Sequence, residues 1–159
     1  AANSTRAIAT PMANLVADAI LDNTTSLGAQ VALMNVGGVR ASLNKISYGQ
    51  ADGEITYAEA FDIAPFGNVY VALDLTGAQL KQVLEQQYQP VPARGSRPML
   101  AMGVSDGFSY TWDATKPQGS RVVPGSMKLN NVANCHLLIS RMPSVRRKCL
   151  NRASSASVP

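Results

Sequence analysis

The chain has 159 residues, 46% of them apolar and 15% charged, which is the balance of one globular domain with a core and excludes a disordered chain. No apolar run approaches the roughly eighteen residues of a membrane-crossing helix. The net charge of +4 divides unevenly: up to Leu129 nine Lys/Arg meet ten Asp/Glu, whereas from Asn130 onward Arg141, Arg146, Arg147, Lys148 and Arg152 meet no acid. A nucleic-acid reader carries its positive charge on a folded face, so a near-neutral body with a basic end argues against nucleic acid as a partner.

In chain order, the start, Ala1-Ala2-Asn3-Ser4, has neither a basic segment nor an apolar stretch and does not read as a signal peptide. Thr10-Pro11 is a helix start, a hydroxyl cap followed by proline at the first helical position. Leu15, Val16, Ala19 and Ile20 recur on one face of that helix, and Gly28 lies beyond its end. Val31 to Asn35 reads as a buried strand, broken by Gly37-Gly38. Thr56-x-x-Glu59 has the spacing of a capping box and opens a helix that must stop before Pro65. Asn68 to Leu75 alternates as a strand does. Thr76-x-x-Gln79 repeats the capping box and opens a helix with Leu80, Val83 and Leu84 on its apolar face. A Pro/Gly loop covers 90–98, and short strands are expected at Phe108–Trp112, Arg121–Val123 and Ser126–Leu129. Helices and strands interleave without a regular βα repeat, which predicts an α+β fold with a mixed sheet packed with helices.

The chemistry is defined first by what is scarce. A dimetal hydrolytic site needs a cluster of His, Asp and Asn ligands, and a nucleophilic triad needs a histidine base. His136 is the single histidine, and Cys135 and Cys149 form one widely spaced pair without zinc-ribbon spacing. We therefore expect no catalytic residue, no metal ligand and no cofactor in this chain. A binding constellation remains. Asn35-Val36-Gly37-Gly38-Val39-Arg40 leaves a strand with two glycines where backbone can approach a ligand, an amide suited to a heterocycle and an arginine suited to hydroxyls or phosphate. Ala64-Pro65-Phe66-Gly67-Asn68 sets an aromatic ring on a stiff turn, a platform for stacking a base. Taken singly, each has an ordinary structural explanation, a tight turn with a solvated arginine and a core phenylalanine.

Taken in order, Asn14 with Leu15 to Ala19, Met34 to Arg40, Gly53 to Thr56, Ala64 to Asn68 and Leu75 to Leu80 resemble the carboxy-terminal domain of the 5'-nucleotidase family over about residues 3 to 130. That family includes UDP-sugar hydrolases and 2',3'-cyclic-nucleotide phosphodiesterases. The resemblance implies a domain that holds a nucleotide or nucleoside for an amino-terminal metallophosphoesterase domain, which would carry the divalent metal ions. It implies a periplasmic or extracellular setting. By motif it assigns substrate binding to Arg6, Asn35, Gly37, Gly38, Arg40 and Phe66, and a structural role in helix packing to Asp18.

The end of the chain departs from the family pattern. Neither a second stacking aromatic nor a Gly-Gly-Asp turn follows Gly125; 131–159 instead reads as an atypical basic tail. A changed coding frame near residue 131 and a divergent family member with a real basic tail are the two explanations. Loss of a terminal strand would leave a sheet edge open to a second copy, a homo-oligomer. The rival functional readings are a non-catalytic nucleoside-binding module and a degenerate structural remnant.

Overall fold

The computed structural model describes residues 9–43, 51, 53–90, 93, 95–130 and 132–133. The elements are α1 (Pro11–Thr24), β1 (Leu33–Asn35), α2 (Tyr57–Ile63), α3 (Gly77–Glu85), β2 (Met102–Val104), β3 (Phe108–Ser109), β4 (Lys128–Leu129) and β5 (Val132–Ala133). The helices start where their caps place them. Thr10 Oγ1 accepts from Ala13 N–H, and the boxes at Thr56/Glu59 and Thr76/Gln79 are both reciprocal. Gly28, at φ 85°, closes the turn Thr25–Leu27 that follows α1.

The strands form two small antiparallel sheets, β1–β2 and β3–β4–β5, so the expected mixed sheet is corrected to antiparallel pairing among the described residues. In the first sheet Leu33 faces Val104, Met34 faces Gly103 and Asn35 faces Met102. Helix α1 lies directly on β2. A Cβ at Gly103 would overlap the backbone and Cβ of Ala13, so only glycine lets the helix approach this closely. That contact corrects the expected helix face. Ala13 and Ala17 are fully buried and Val16 and Ile20 of the expected face are half-buried, while Leu15 is 50% exposed and Ala19 also faces outward. Small side chains won the inner face because the helix backbone, not a leucine layer, fills the space above Gly103.

Side chains then take over the role of a neighbouring strand. Met102 N–H donates to Gln87 Oε1 at 2.8 Å and Val104 N–H to Asn14 Oδ1 at 3.1 Å. Asp106 N–H donates to Asp18 Oδ1 at 2.6 Å, the packing role expected of that aspartate. Ser105 and Ala32 exchange a backbone bond and an Oγ bond. Among the described residues no buried side-chain polar atom lacks a partner.

The main core gathers Leu80 and Leu84 of α3 with Phe108 and Val122, flanked by Leu33, Val104, Tyr110, Trp112 and Leu129. The expected strands at 108–112, 121–123 and 126–129 shrink to β3, a single bridge between Trp112 and Val122, and β4. The remainder is organised around Glu85. Its buried carboxylate accepts from Val122 N–H at 2.7 Å, Arg121 N–H at 2.9 Å and Lys81 Nζ at 2.9 Å. Burial pushes the Glu85 carboxyl up, but these hydrogen bonds and the Lys81 charge outweigh it and leave the group below its ordinary value.

The expected strand at 68–75 does not form. The segment has no regular structure, its residues from Asn68 to Asp74 are exposed, and it pairs with nothing among the described residues. Alternation alone makes half-buried faces, and a strand also needs a neighbour to receive its N–H and C=O groups.

Two outcomes test this arrangement. Gly103→Val cannot be relieved by a side-chain rotation because the obstacle is the Ala13 backbone. It should cost about 3 kcal/mol or more, read as a lowered urea midpoint or loss of soluble folded protein. Glu85→Gln should cost about 1–3 kcal/mol at neutral pH. Because the folded carboxyl is held low, its contribution is full above the unfolded pKa and disappears as pH falls through the folded one. The gap between wild type and Glu85→Gln in urea titrations should therefore close on acidification.

Candidate functional site

The site is built at the carboxy-terminal end of β1. Asn35 ends the strand and caps the single 3-10 turn Val36–Gly38, its Oδ1 accepting from Gly37 N–H at 3.1 Å. Asn35 Nδ2 has no partner among the described residues, so the cap uses the acceptor and leaves the donor available. The turn is held from below. Val36 is buried and its N–H donates to Ala101 O at 3.1 Å, continuing the β1–β2 ladder by one residue. Gly38 leaves room for the Met34 methyl, which a Cβ would meet at 2.7 Å, while Gly37 lies against the Asn35 side chain. Neither glycine needs a positive φ. Their contribution is room for the Met34 methyl and the Asn35 amide to lie against the turn between Asn35 and Arg40.

Arg40 is tied to α2. Its N–H donates to Ile63 O at 2.8 Å, so the end of the glycine turn is fastened to the carboxy-terminal end of that helix. Three residues later, Phe66 N–H donates to Ala64 O at 2.7 Å across Pro65, a tight three-residue turn that projects the ring. The Arg40 guanidinium carbon then sits 5.4 Å from the Phe66 ring centroid, a cation–π contact. Phe66 is 43% exposed and Arg40 and Asn35 are exposed, so the cluster is an open surface and not a closed cavity.

The structure thus joins Asn35, Gly37, Gly38 and Arg40 along one turn and brings Phe66 to Arg40. Arg6 lies outside the described residues. The sequence reading missed Ile63, whose carbonyl anchors Arg40, because a backbone acceptor leaves no residue-type signal. A depression of about 360 Å³ lies elsewhere, lined by Ser109, Tyr110, Thr111, Pro124, Gly125, Ser126 and Lys128, and includes none of the site residues. Burial pushes the Tyr110 hydroxyl up, against the hydrogen bond from Gln87, so that wall of the depression stays neutral. Among the described residues no three His, Cys, Asp or Glu are grouped to hold a metal ion.

The family model for the 5'-nucleotidase C-terminal domain matches residues 1–134. The trifunctional nucleotide phosphoesterase protein of Bacillus subtilis is 35% identical over 116 residues, 72% of this chain and 7% of that protein. A cell wall protein of Listeria monocytogenes is 36% identical over 80 residues, 48% of this chain and 10% of that protein. The crystal structure of a 5'-nucleotidase precursor from Thermus thermophilus superposes with a TM-score of 0.58 at 29% identity, over 82% of this chain and 25% of that one. The chain therefore spans a tenth or less of the two curated relatives. With most of its length matched by the family model, the chain belongs to the 5'-nucleotidase C-terminal domain family.

Proposed function

We propose that this domain recognises a nucleotide or nucleoside and orients its phosphate for ester hydrolysis by a separate metallophosphoesterase domain. The observation that carries the reading is the Arg40–Phe66 pair, a cation and an exposed aromatic face at 5.4 Å beside the Asn35 cap. In this reading the base stacks on Phe66, the Asn35 Nδ2 donates to a ring acceptor, and Arg40 turns from the ring to the sugar-phosphate side. The ligand lies beside the Gly37-Gly38 turn, and Arg6 adds a second cation. The divalent ions belong to the other domain, and this chain contributes position, which is worth several kcal/mol when it fixes a reacting group. The names of the Bacillus and Thermus relatives support a phosphoester substrate, and the name of the Listeria relative supports a setting outside the cytoplasm. Among the described residues no helix is long and apolar enough to cross a membrane.

Calorimetric titration of the purified chain with adenosine, AMP and UDP-glucose tests the reading. Saturable binding is expected, and Phe66→Ala should remove about 1–3 kcal/mol of it for any base. Arg40→Ala should separate the ligands. AMP loses a charge-assisted partner and binds about tenfold or more weakly. Adenosine no longer competes with a guanidinium for the ring and binds as well or up to about fivefold more tightly. Absence of heat with all three ligands from a folded sample would leave the degenerate-remnant reading standing.

A further inference from the structure

The segment between the Phe66 turn and the cap of α3 has the composition of a strand and, among the described residues, none of its bonds. From Asn68 to Leu75 it has no helix, strand or turn and makes no backbone hydrogen bond to any described residue. Both of its faces are open to solvent: Val69 is 49% exposed, Val71 72% and Leu73 71% on one side, and Tyr70 53% on the other. Natural sheet edges are protected by lysine, proline, a bulge or a covering element. From Gly67 to Gln79 this chain has no lysine, arginine or proline. The exposed run is thus a β template with no protective device of its own.

We propose that residues 68–75 form an association edge that pairs antiparallel with the same segment of a second copy of this chain. The sequence of the segment selects that occupant because it is self-complementary. In a twofold register centred on Val71, Val69 faces Leu73 of the other copy, Val71 faces Val71, and Tyr70 faces Ala72. The only charge in the segment, Asp74, then faces Asn68, whose amide can donate to the carboxylate, and the symmetry makes this pair twice. A parallel arrangement in register would set Asp74 against Asp74, and a shift of one residue would set Asp74 against Val69. The antiparallel register also gives each strand the ladder of N–H and C=O partners that it lacks among the described residues. The near balance of charge up to Leu129 leaves little long-range repulsion between two bodies. The inference is independent of whether the Phe66 surface binds a nucleotide.

Sedimentation velocity on the full chain, from about 1 µM to about 1 mM, reads the association. A concentration-dependent dimer is expected, and Val71→Lys, at a position 72% exposed, should abolish it with an unchanged circular dichroism spectrum. A charge swap fixes the register. Asn68→Asp places two carboxylates opposite each other and should weaken the dimer by about two- to thirtyfold, counting both symmetric pairs. Adding Asp74→Lys to Asn68→Asp should restore it, since each new lysine then faces an aspartate. A monomer across the whole range would overturn the proposal. So would association that Val71→Lys leaves intact, or a double variant that fails to recover.

Discussion

The contact between Ala13 and Gly103 sets the position of everything that matters in this domain. Because the helix backbone rests on the strand backbone with no side chain between them, α1 and β2 behave as one layer. Asn14 and Asp18, one and five residues after the contact, are thereby brought to the amides of Val104 and Asp106. β1 is paired to β2 residue by residue, so the end of β1 and the glycine turn inherit their position from the same contact. Val36, in the middle of the site turn, lies in one buried cluster with Ala13 and Ala101, so the candidate site residues on either side of it depend on the same contact.

A second anchor acts from the other side. Gln87 follows α3 and its side chain is satisfied in full: Oε1 accepts from Met102 N–H, and Nε2 donates to Leu84 O and Tyr110 OH. Glu85, two residues earlier, gathers the amides of Arg121 and Val122. Polar side chains at the end of one helix thus hold two short backbone stretches, one in each half of the core. Such bonds are worth more here than on the surface, because the buried alternative is an unpaired amide. A domain with strands of two or three residues has few ladder bonds to rely on, and these side chains supply the remainder.

Much of this was legible in the residues. Thr10-Pro11, Thr56-x-x-Glu59 and Thr76-x-x-Gln79 announced three helices, and all three begin where those caps lie. The turn at Asn35 to Arg40 was recognisable from its glycines and its motif. β2 was not, because Gly103 interrupts Met102–Val104 with the residue that most weakens a strand signal. The reason for that glycine is a helix ninety positions earlier in the chain, which no local window contains. The inner face of α1 was misread for the same reason: Ala13 and Ala17 are small enough to be overlooked, and the long-range approach is what selects them. At 68–75 the local signal was present, but residues 68–74 are exposed and pair with nothing among the described residues, so periodicity foretold neither the burial nor the pairing. Glu85 gave no sign of burial, since a glutamate at a helix end ordinarily faces water.

The outer edge of β2 carries a consequence for how the domain opens. Where most strands meet another strand, Met102 and Val104 meet a side chain from α3's end and one from α1. Each amide is therefore coupled to a different helix. Isotope exchange at Val104 requires α1 to lift from the sheet, and exchange at Met102 requires the Gln87 segment to withdraw. The pair of amides acts as two separate clocks on one strand. If both run at a common rate, the domain opens as a single unit; if Val104 runs ahead, α1 detaches while the α3 core stays closed.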